Sequence, residues 1–348
     1  MIDANDAAAP PGTDSDWSVC RYGAVDEILH DPGTHELYNE SVYFNFMTGL
    51  ESGPLGGVLR IGLRPGEGYA ELSLNLPQDD GTIIFLYERN PLDYDGFEVG
   101  SPSWRSGGMT AAAIVPTRRW RLRFEGDGGR AIRDPAGFGR DPGKTLRAGQ
   151  RLPCALDLEF VGSHPIYALS ESGDLVPDKK VDYAKNHYEQ VCTASGTIEI
   201  GASSWRIEAQ PGFRDHSWGP RDWQSTPWTT FVTAALDDGE YLVAVSQRLD
   251  GTDYVRGVSW SRDGMAEIVR YDVISDYAGA PELTEPLKMV FAAGDRGEIE
   301  LDAKIDAYLP LRHRKGNQTI RTAQALLTVS GAGRRGVAWT DITRPADG

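Results

Sequence analysis

The chain has 348 residues, 40% of them apolar, with 35 basic against 51 acidic side chains and a formal charge of −16 at pH 7. That length allows one large domain or two of ordinary size, and the apolar content suffices to bury a core in each. The acidic balance, with a pI near 4.8, excludes nucleic acid as a partner and disfavours anionic membrane surfaces, because both reward the opposite sign.

The start, "MIDANDAAAPPGTDSDW", has neither the basic nor the apolar region that secretion machinery reads, and is expected to be a disordered leader. Apolar runs stay well short of the ~20 residues a membrane helix needs, so no stable membrane insertion is expected. Cys20, Cys154 and Cys192 are few, odd in number and widely spaced. They read as buried thiols in a reducing cytosol, and a cytoplasmic location follows.

Along the chain, "GAVDEILHD" near Gly23 reads as helical. In "NESVYFNFMTG" strict alternation puts Tyr43, Asn45 and Met47 on one face and Phe44 and Phe46 on the other, as either an aromatic core or the wall of a site. "GGVLRIGLRP", "GYAELSLNL", "GTIIFLYER", "RRWRLRFEG" and "LPCALDLEF" follow as strands. In the fourth, Trp120, Leu122 and Phe124 face a core while Arg119, Arg121 and Arg123 face water. The polar stretch at residues 170–186 lacks alternation, with a second helical signal towards its end. It is expected to join an N-terminal domain, residues 15–183, to a C-terminal domain, residues 184–345.

"NHYEQVCTASG" opens the second half. It puts His187 and Glu189 on one face with Val191, and Tyr188 and Gln190 on the other, a load that suits either a charged edge strand or a site. Eight further alternating stretches run from "GTIEIGASSWRIEA" to "AQALLTVSG". Turn signals at residues 79–81, 125–129, 237–239, 249–253 and 262–264 mark hairpins. The fold expected is all-β: two antiparallel barrels or sandwiches of ~8 to 10 strands, each large enough to close round a ligand-sized lumen.

The sequence has no GxxxxGK[ST], HExxH or GxSxG motif, and its six histidines are scattered. No cofactor and no metal site are expected. The densest chemistry lies in "GFRDHSWGPRDW", residues 212–223. If extended, it sends Arg214, His216 and Trp218 to one face and Asp215 and Ser217 to the other, and Gly219-Pro220 must then break the strand. Two readings stand. One is a structural corner in which Asp215 and Asp222 pair with arginines and the tryptophans plug a domain junction. The other is a lumen in which a proton donor sits beside an aromatic wall.

Together with "HYEQVCTASGTIEI" and "NESVYFNFMTG", that signature resembles the double-lipocalin-like family that includes the carotenoid 1,2-hydratases (hydroxyneurosporene synthases), kievitone hydratase and AttH-like proteins. It is most similar to bacterial members. The resemblance implies two tandem lipocalin-like domains and cofactor-independent chemistry on a hydrophobic, isoprenoid small molecule. Related folds include pericyclases that only shape a reactive polyene. The His-x-Trp of the hydratases falls on His216 and Trp218. Their Tyr-x-Asp has its nearest counterpart at Tyr241-Leu242-Val243, which lacks the aspartate.

Protonating an alkene demands a dry acid, aromatic faces for the cation and a nearby base. Asp215 is the first choice as acid, with Glu189 or Asp222 as alternatives, and His216 as its partner. A bulge before Gly219-Pro220 would bring both side chains into one lumen. Trp218, Trp223, Trp228 and Tyr241 are the candidate faces, with His187, Glu189, Tyr43 and Asn45 completing the lining. The expected activity is hydration, dehydration, isomerisation or cyclisation. A non-catalytic carrier of an apolar ligand in a barrel lumen is the alternative from another class, and a carbohydrate-active sandwich is a third.

Overall fold

The computed structural model describes residues 17–346 apart from 51, 93–97, 169–185, 223–226, 250 and 316. The expected leader, most of the expected inter-domain connection with its helical signal, and Trp223 lie outside the described residues. The first half builds β1 (Tyr38–Met47), β2 (Gly56–Arg64), β3 (Tyr69–Pro77), β4 (Ile83–Pro91), β5 (Ser103–Ser106), β6 (Met109–Val115) and β7 (Arg119–Ile132). Two short helices follow, α1 (Pro135–Arg140) and α2 (Pro142–Ala148), then β8 (Arg151–Gly162), β9 (Asn186–Ile200) and β10 (Ser203–Pro220). The second half contributes β11 (Thr229–Leu236), β12 (Tyr241–Leu249), β13 (Thr252–Ser261), β14 (Gly264–Ile274), β15 (Leu287–Ala293), β16 (Glu298–Lys315), β17 (Gln318–Gly331) and β18 (Arg334–Pro345).

These strands form two antiparallel units, as the alternation predicts. A ten-stranded sheet runs β4-β3-β2-β1-β10-β9-β8-β7-β6-β5 and curls until β4 also pairs with β7, while β11 to β18 close into a barrel. The division differs from the one expected at residue 184. β9 and β10 join the first sheet, because β1 finds its partner in β10 across the whole intervening half, with Tyr43 opposite Asp215. The signature segment therefore belongs to the first unit, and the barrel begins at Thr229.

Four of the five expected turns are hairpins, with Gly81, Gly239, Gly251 and Gly264 all at positive φ. The fifth, "EGDGG", lies inside β7, where the register shifts between Gly126 and Gly129 as a bulge. The helical reading at Gly23 reduces to one 3-10 turn, Ala24–Asp26. The helices actually present start at Asp-Pro: the Asp134 and Asp141 side chains accept from the amides of Gly137 and Lys144, and each proline sits where a helix has no use for its amide. "GAGRRG", residues 331–336, has the spacing of a dinucleotide-binding loop. It is instead the β17–β18 hairpin, with Gly331 opposite Arg334, and no helix follows to receive a phosphate.

Each unit is filled by its own side chains. Trp104, Trp120, Phe44 and Phe160 pack inside the first. Val232, Leu242, Tyr271, Phe291 and Leu327 are among those that occupy the barrel, as an eight-strand barrel has just room for. The expected barrel lumen is thus a packed core. A third cluster, including Tyr43, Phe213, Val243, Trp260 and Trp339, joins the outer faces of the two units. Both faces of β1 and β10 are consequently covered, and the space left over lies between the units.

Candidate functional site

A cavity of about 750 Å³ lies between the two units, within the range of small-molecule sites. Its walls come from β1 to β4, β9 and β10 on one side and from β11, β12, β16, β17 and β18 on the other, with Phe138, Pro142 and Leu146 added by the helices.

Strand register places the reactive groups. Asp215 lies opposite Tyr43 on β1 and opposite Glu189 on β9, and Glu189 bridges to Tyr167 beyond. The neighbouring row on the same face is Ser41, Ser217 and His187. Directly paired residues on adjacent strands stand close enough for their side chains to meet, so one regular ladder gathers two carboxyls and an imidazole. His187 Nε2 is 3.7 Å from Glu189 Oε1 and 3.8 Å from Asp215 Oδ2. From the facing barrel, Asp341 lines the same cavity and accepts from Gln324 Nε2 at 3.3 Å and Trp339 Nε1 at 3.2 Å.

Burial and mutual charge set the protonation of these groups. Burial pushes the Glu189 carboxyl up to about 7; His187 pulls it back and Asp215 adds to the rise. Asp341 is pushed up to about 6 by burial, against the hydrogen bonds from Gln324 and Trp339. His187 is held above the ordinary imidazole range: burial opposes its charge, but Asp215 and Glu189 outweigh it. Glu189 is 1% exposed, and its Oε2 has no hydrogen-bond partner among the described residues. The same holds for Asn75 Oδ1 and Gln247 Nε2, both buried and both on the cavity wall. Buried polar atoms are rarely left so unless a ligand or water completes them.

The other face of β10 is a closed network. Arg214 Nη2 donates to Glu27 Oε1 at 2.5 Å and Arg214 Nε to Gln190 at 2.9 Å, with both charges fully buried. The guanidinium lies 5.0 Å over Trp120 and 5.6 Å over Tyr188. His216 contacts Glu40 through Nε2 at 2.9 Å and Tyr188 through Nδ1 at 3.0 Å. His30 and Tyr38 also converge on Glu40. Burial alone would raise the Glu40 carboxyl, but His216 and His30 hold it below its usual range.

Among the described residues, His30, Glu40 and His216 form a trio whose ligand atoms, all within 4.8 Å, could jointly hold a metal ion. Four donors already reach the two oxygens of Glu40, so the trio is satisfied as a hydrogen-bonded core.

The alternation read from the sequence holds: Asp215 and Ser217 face one way, Arg214 and His216 the other. Only the Asp215 face meets the cavity. Asp215, His187, Glu189 and Tyr43 line the cavity, and Asn45 sits behind Tyr43, donating to its hydroxyl. His216 and Trp218 are buried in the network behind. No bulge unites them with Asp215, because the register of β10 shifts only between Ile207 and Gln210 and is regular from there to Trp218. Gly219-Pro220 closes the strand, since β10 ends at Pro220. Arg221 still bonds Leu37 on the β1 side, so the amide that proline lacks would point to the side where β9 has already ended.

Tyr241 is spent on the carbonyl of Gly212. Trp228 is 37% exposed and packs under Arg344. Asp341, Gln324 and Asn75 were not singled out in the sequence. Each lies on the more polar face of its strand, Asn75 in line with Glu71 and Ser73, which in a sequence reads as a face turned to water.

Among curated proteins no sequence matches. Known structures share the fold over nearly the whole chain, two of which follow. An AttH-like protein (NE1406) from Nitrosomonas europaea is 13% identical, covering 88% of this chain and 91% of its own, with a TM-score of 0.63. CghA, in a crystal with Sch210972, is 14% identical, covering 90% of each chain, with a TM-score of 0.60. At such identities the likeness shows the two-unit β architecture alone. A family match extends over residues 23–346, and the chain belongs to that family, described as a domain of unknown function, DUF7064.

Proposed function

We propose that this protein is a cofactor-independent acid-base enzyme acting on a hydrophobic small molecule held between its two β units. The observation that carries the reading is the Glu189–Asp215 pair: two carboxyls side by side on adjacent strands, one with its proton affinity raised to about 7, both on the wall of one cavity. A carboxyl held protonated beside a second carboxyl is a usual basis for assigning an acid. Glu189 is the acid, keeping a proton at neutral pH that it can give to an alkene carbon or a carbonyl oxygen. Asp215, oriented by the neighbouring His187 imidazole, is the base that takes a proton from the neighbouring carbon or from water. Tyr43 beside the carboxyls and Phe231 on the facing barrel wall supply aromatic faces. Hydration, dehydration, isomerisation and cyclisation all use this pair of steps. The bound compound in the CghA crystal supports a ligand-holding role for this architecture, and the hydratase resemblance of the signature supports an isoprenoid body.

Deuterium oxide distinguishes this enzyme from a carrier. Wild-type protein incubated in it with farnesol and related acyclic isoprenoid alkenes is expected to introduce carbon-bound deuterium into at least one of them, read by mass spectrometry. Ligands that bind and are recovered unlabelled and unchanged would make the protein a carrier.

A further inference from the structure

The cavity is polar at two places of opposite character. Its carboxyls sit on β9, β10 and β18. Toward β2, β4 and the end of β16 the lining turns cationic: Arg60, Arg64, Arg89, Arg312 and Arg314, with His313 between the last two. Glu67 and Glu71 are the acids there. Five arginines against two glutamates invert the balance of a chain whose formal charge is −16.

Glu71 is already engaged by Arg60 and Arg64 and by the Tyr87 hydroxyl. Arg64 reaches Glu67 at 2.8 Å, and its buried Nε has no hydrogen-bond partner among the described residues. Arg89 stacks over Tyr69 at 4.8 Å, while Arg312 and Arg314 are exposed on β16. His313 feels the charges of Glu71, Arg60, Arg64 and Arg89, which places the β16 end against the β2–β4 face. Clustered guanidinium groups bordering a cavity are the usual recognition element for a carboxylate or phosphate.

Register converts this into a length. Arg60 shares a row with Tyr43 and so with Asp215, two strands away. Arg89 shares a row with Glu71, Gly62, Ser41 and Ser217, four strands from β10. At the usual strand spacing these are about 10 Å and about 19 Å. Tyr43 stands between Asp215 and Arg60 in their row, and in the next row along the strands Val58 and Phe85, with Phe138 packed on Phe85, give the lining an apolar side.

We infer that the ligand is an amphipathic organic acid, with its anionic head at the Arg60–Arg64–Arg89–Arg312–Arg314 end, an apolar body across the middle, and the reacting bond beside Glu189 and Asp215. This rests on the reading of the cavity as the substrate site and adds the chemical class of the substrate.

Matched probes test it: dodecan-1-ol, dodecanoate and dodecyl phosphate share one apolar body and differ only in the head. Binding to the full chain is measured by calorimetry at low and high salt. Either anion, or both, is expected to bind about tenfold or more tighter than the alcohol, with the advantage shrinking as salt rises. Which anion leads tells carboxylate from phosphate. In the triple variant Arg89→Gln, Arg312→Gln, Arg314→Gln, all at exposed positions, the advantage should fall several-fold while the alcohol binds as before. Equal binding of alcohol and anions to wild type, or an advantage untouched by the triple variant, overturns the inference and leaves the cavity reading standing. Binding of none of the three removes both.

Discussion

Glu189→Gln is expected to slow deuterium transfer into the ligand by about a hundred- to ten-thousandfold, the usual worth of a positioned general acid. The amide keeps the shape of the carboxyl and its place opposite Asp215 but has no proton to give, so ligand binding should persist. The wild-type rate should also fall as pH rises through about 7, where the Glu189 carboxyl loses its proton, and the variant should lack that limb.

Stability must change over the same range. The folded chain holds the Glu189 proton more tightly than the unfolded chain, whose carboxyl titrates near its ordinary value of ~4.3. Between those two points the unfolded state is the one that has ionised. Stability therefore declines as pH climbs from about 4 to about 7 and levels off above, by at most about 4 kcal/mol for this group. Denaturant titrations across that window should show a shallower slope for Glu189→Gln. An unchanged rate and an unchanged slope would place the proton elsewhere.

Arg214→Ala is expected to cost about 3–5 kcal/mol of folding stability, because it strands Glu27 as an unpaired charge in the core. It also removes the cation above Trp120 and Tyr188 and leaves Gln190 without its donor. Replacing both partners, Arg214→Met with Glu27→Gln, should recover much of the loss, since a neutral pair leaves no buried charge behind. Equilibrium unfolding in urea measures both. A loss below about 1 kcal/mol for the single variant would contradict the account of β10's inner face as structural. The same account makes His216, despite its place in the signature, a residue whose removal is felt in stability through Glu40 and Tyr188.

Much of this arrangement was legible in single strands. Alternation alone placed Tyr43, Asn45 and Met47 together, His187 with Glu189, and Asp215 with Ser217, because a strand's period of two needs no knowledge of its neighbours. It could not say which face of β10 meets the cavity, since both faces are buried and each carries charge. That choice is made by what packs on each side: Glu27 and Glu40 from one end of the chain, the barrel from the other.

The partition of the chain failed for the same reason. β9 and β10 look like the start of a second domain until β1 pairs with β10, a contact between residues more than 170 positions apart in sequence. Asp341 and Gln324 reach the site only because the barrel docks there, and no local pattern signals it. The helices after Asp134 and Asp141, by contrast, carried a readable cap in each Asp-Pro.

The proton on Glu189 is where the account is most exposed. Infrared difference spectra between wild type and Glu189→Gln, recorded ligand-free as a function of pH, isolate the carboxyl band of this one side chain. The account predicts a protonated band that persists at pH 6 and vanishes with a midpoint at about 7. A band already gone at pH 6, with its midpoint near the ordinary ~4.3, would contradict it.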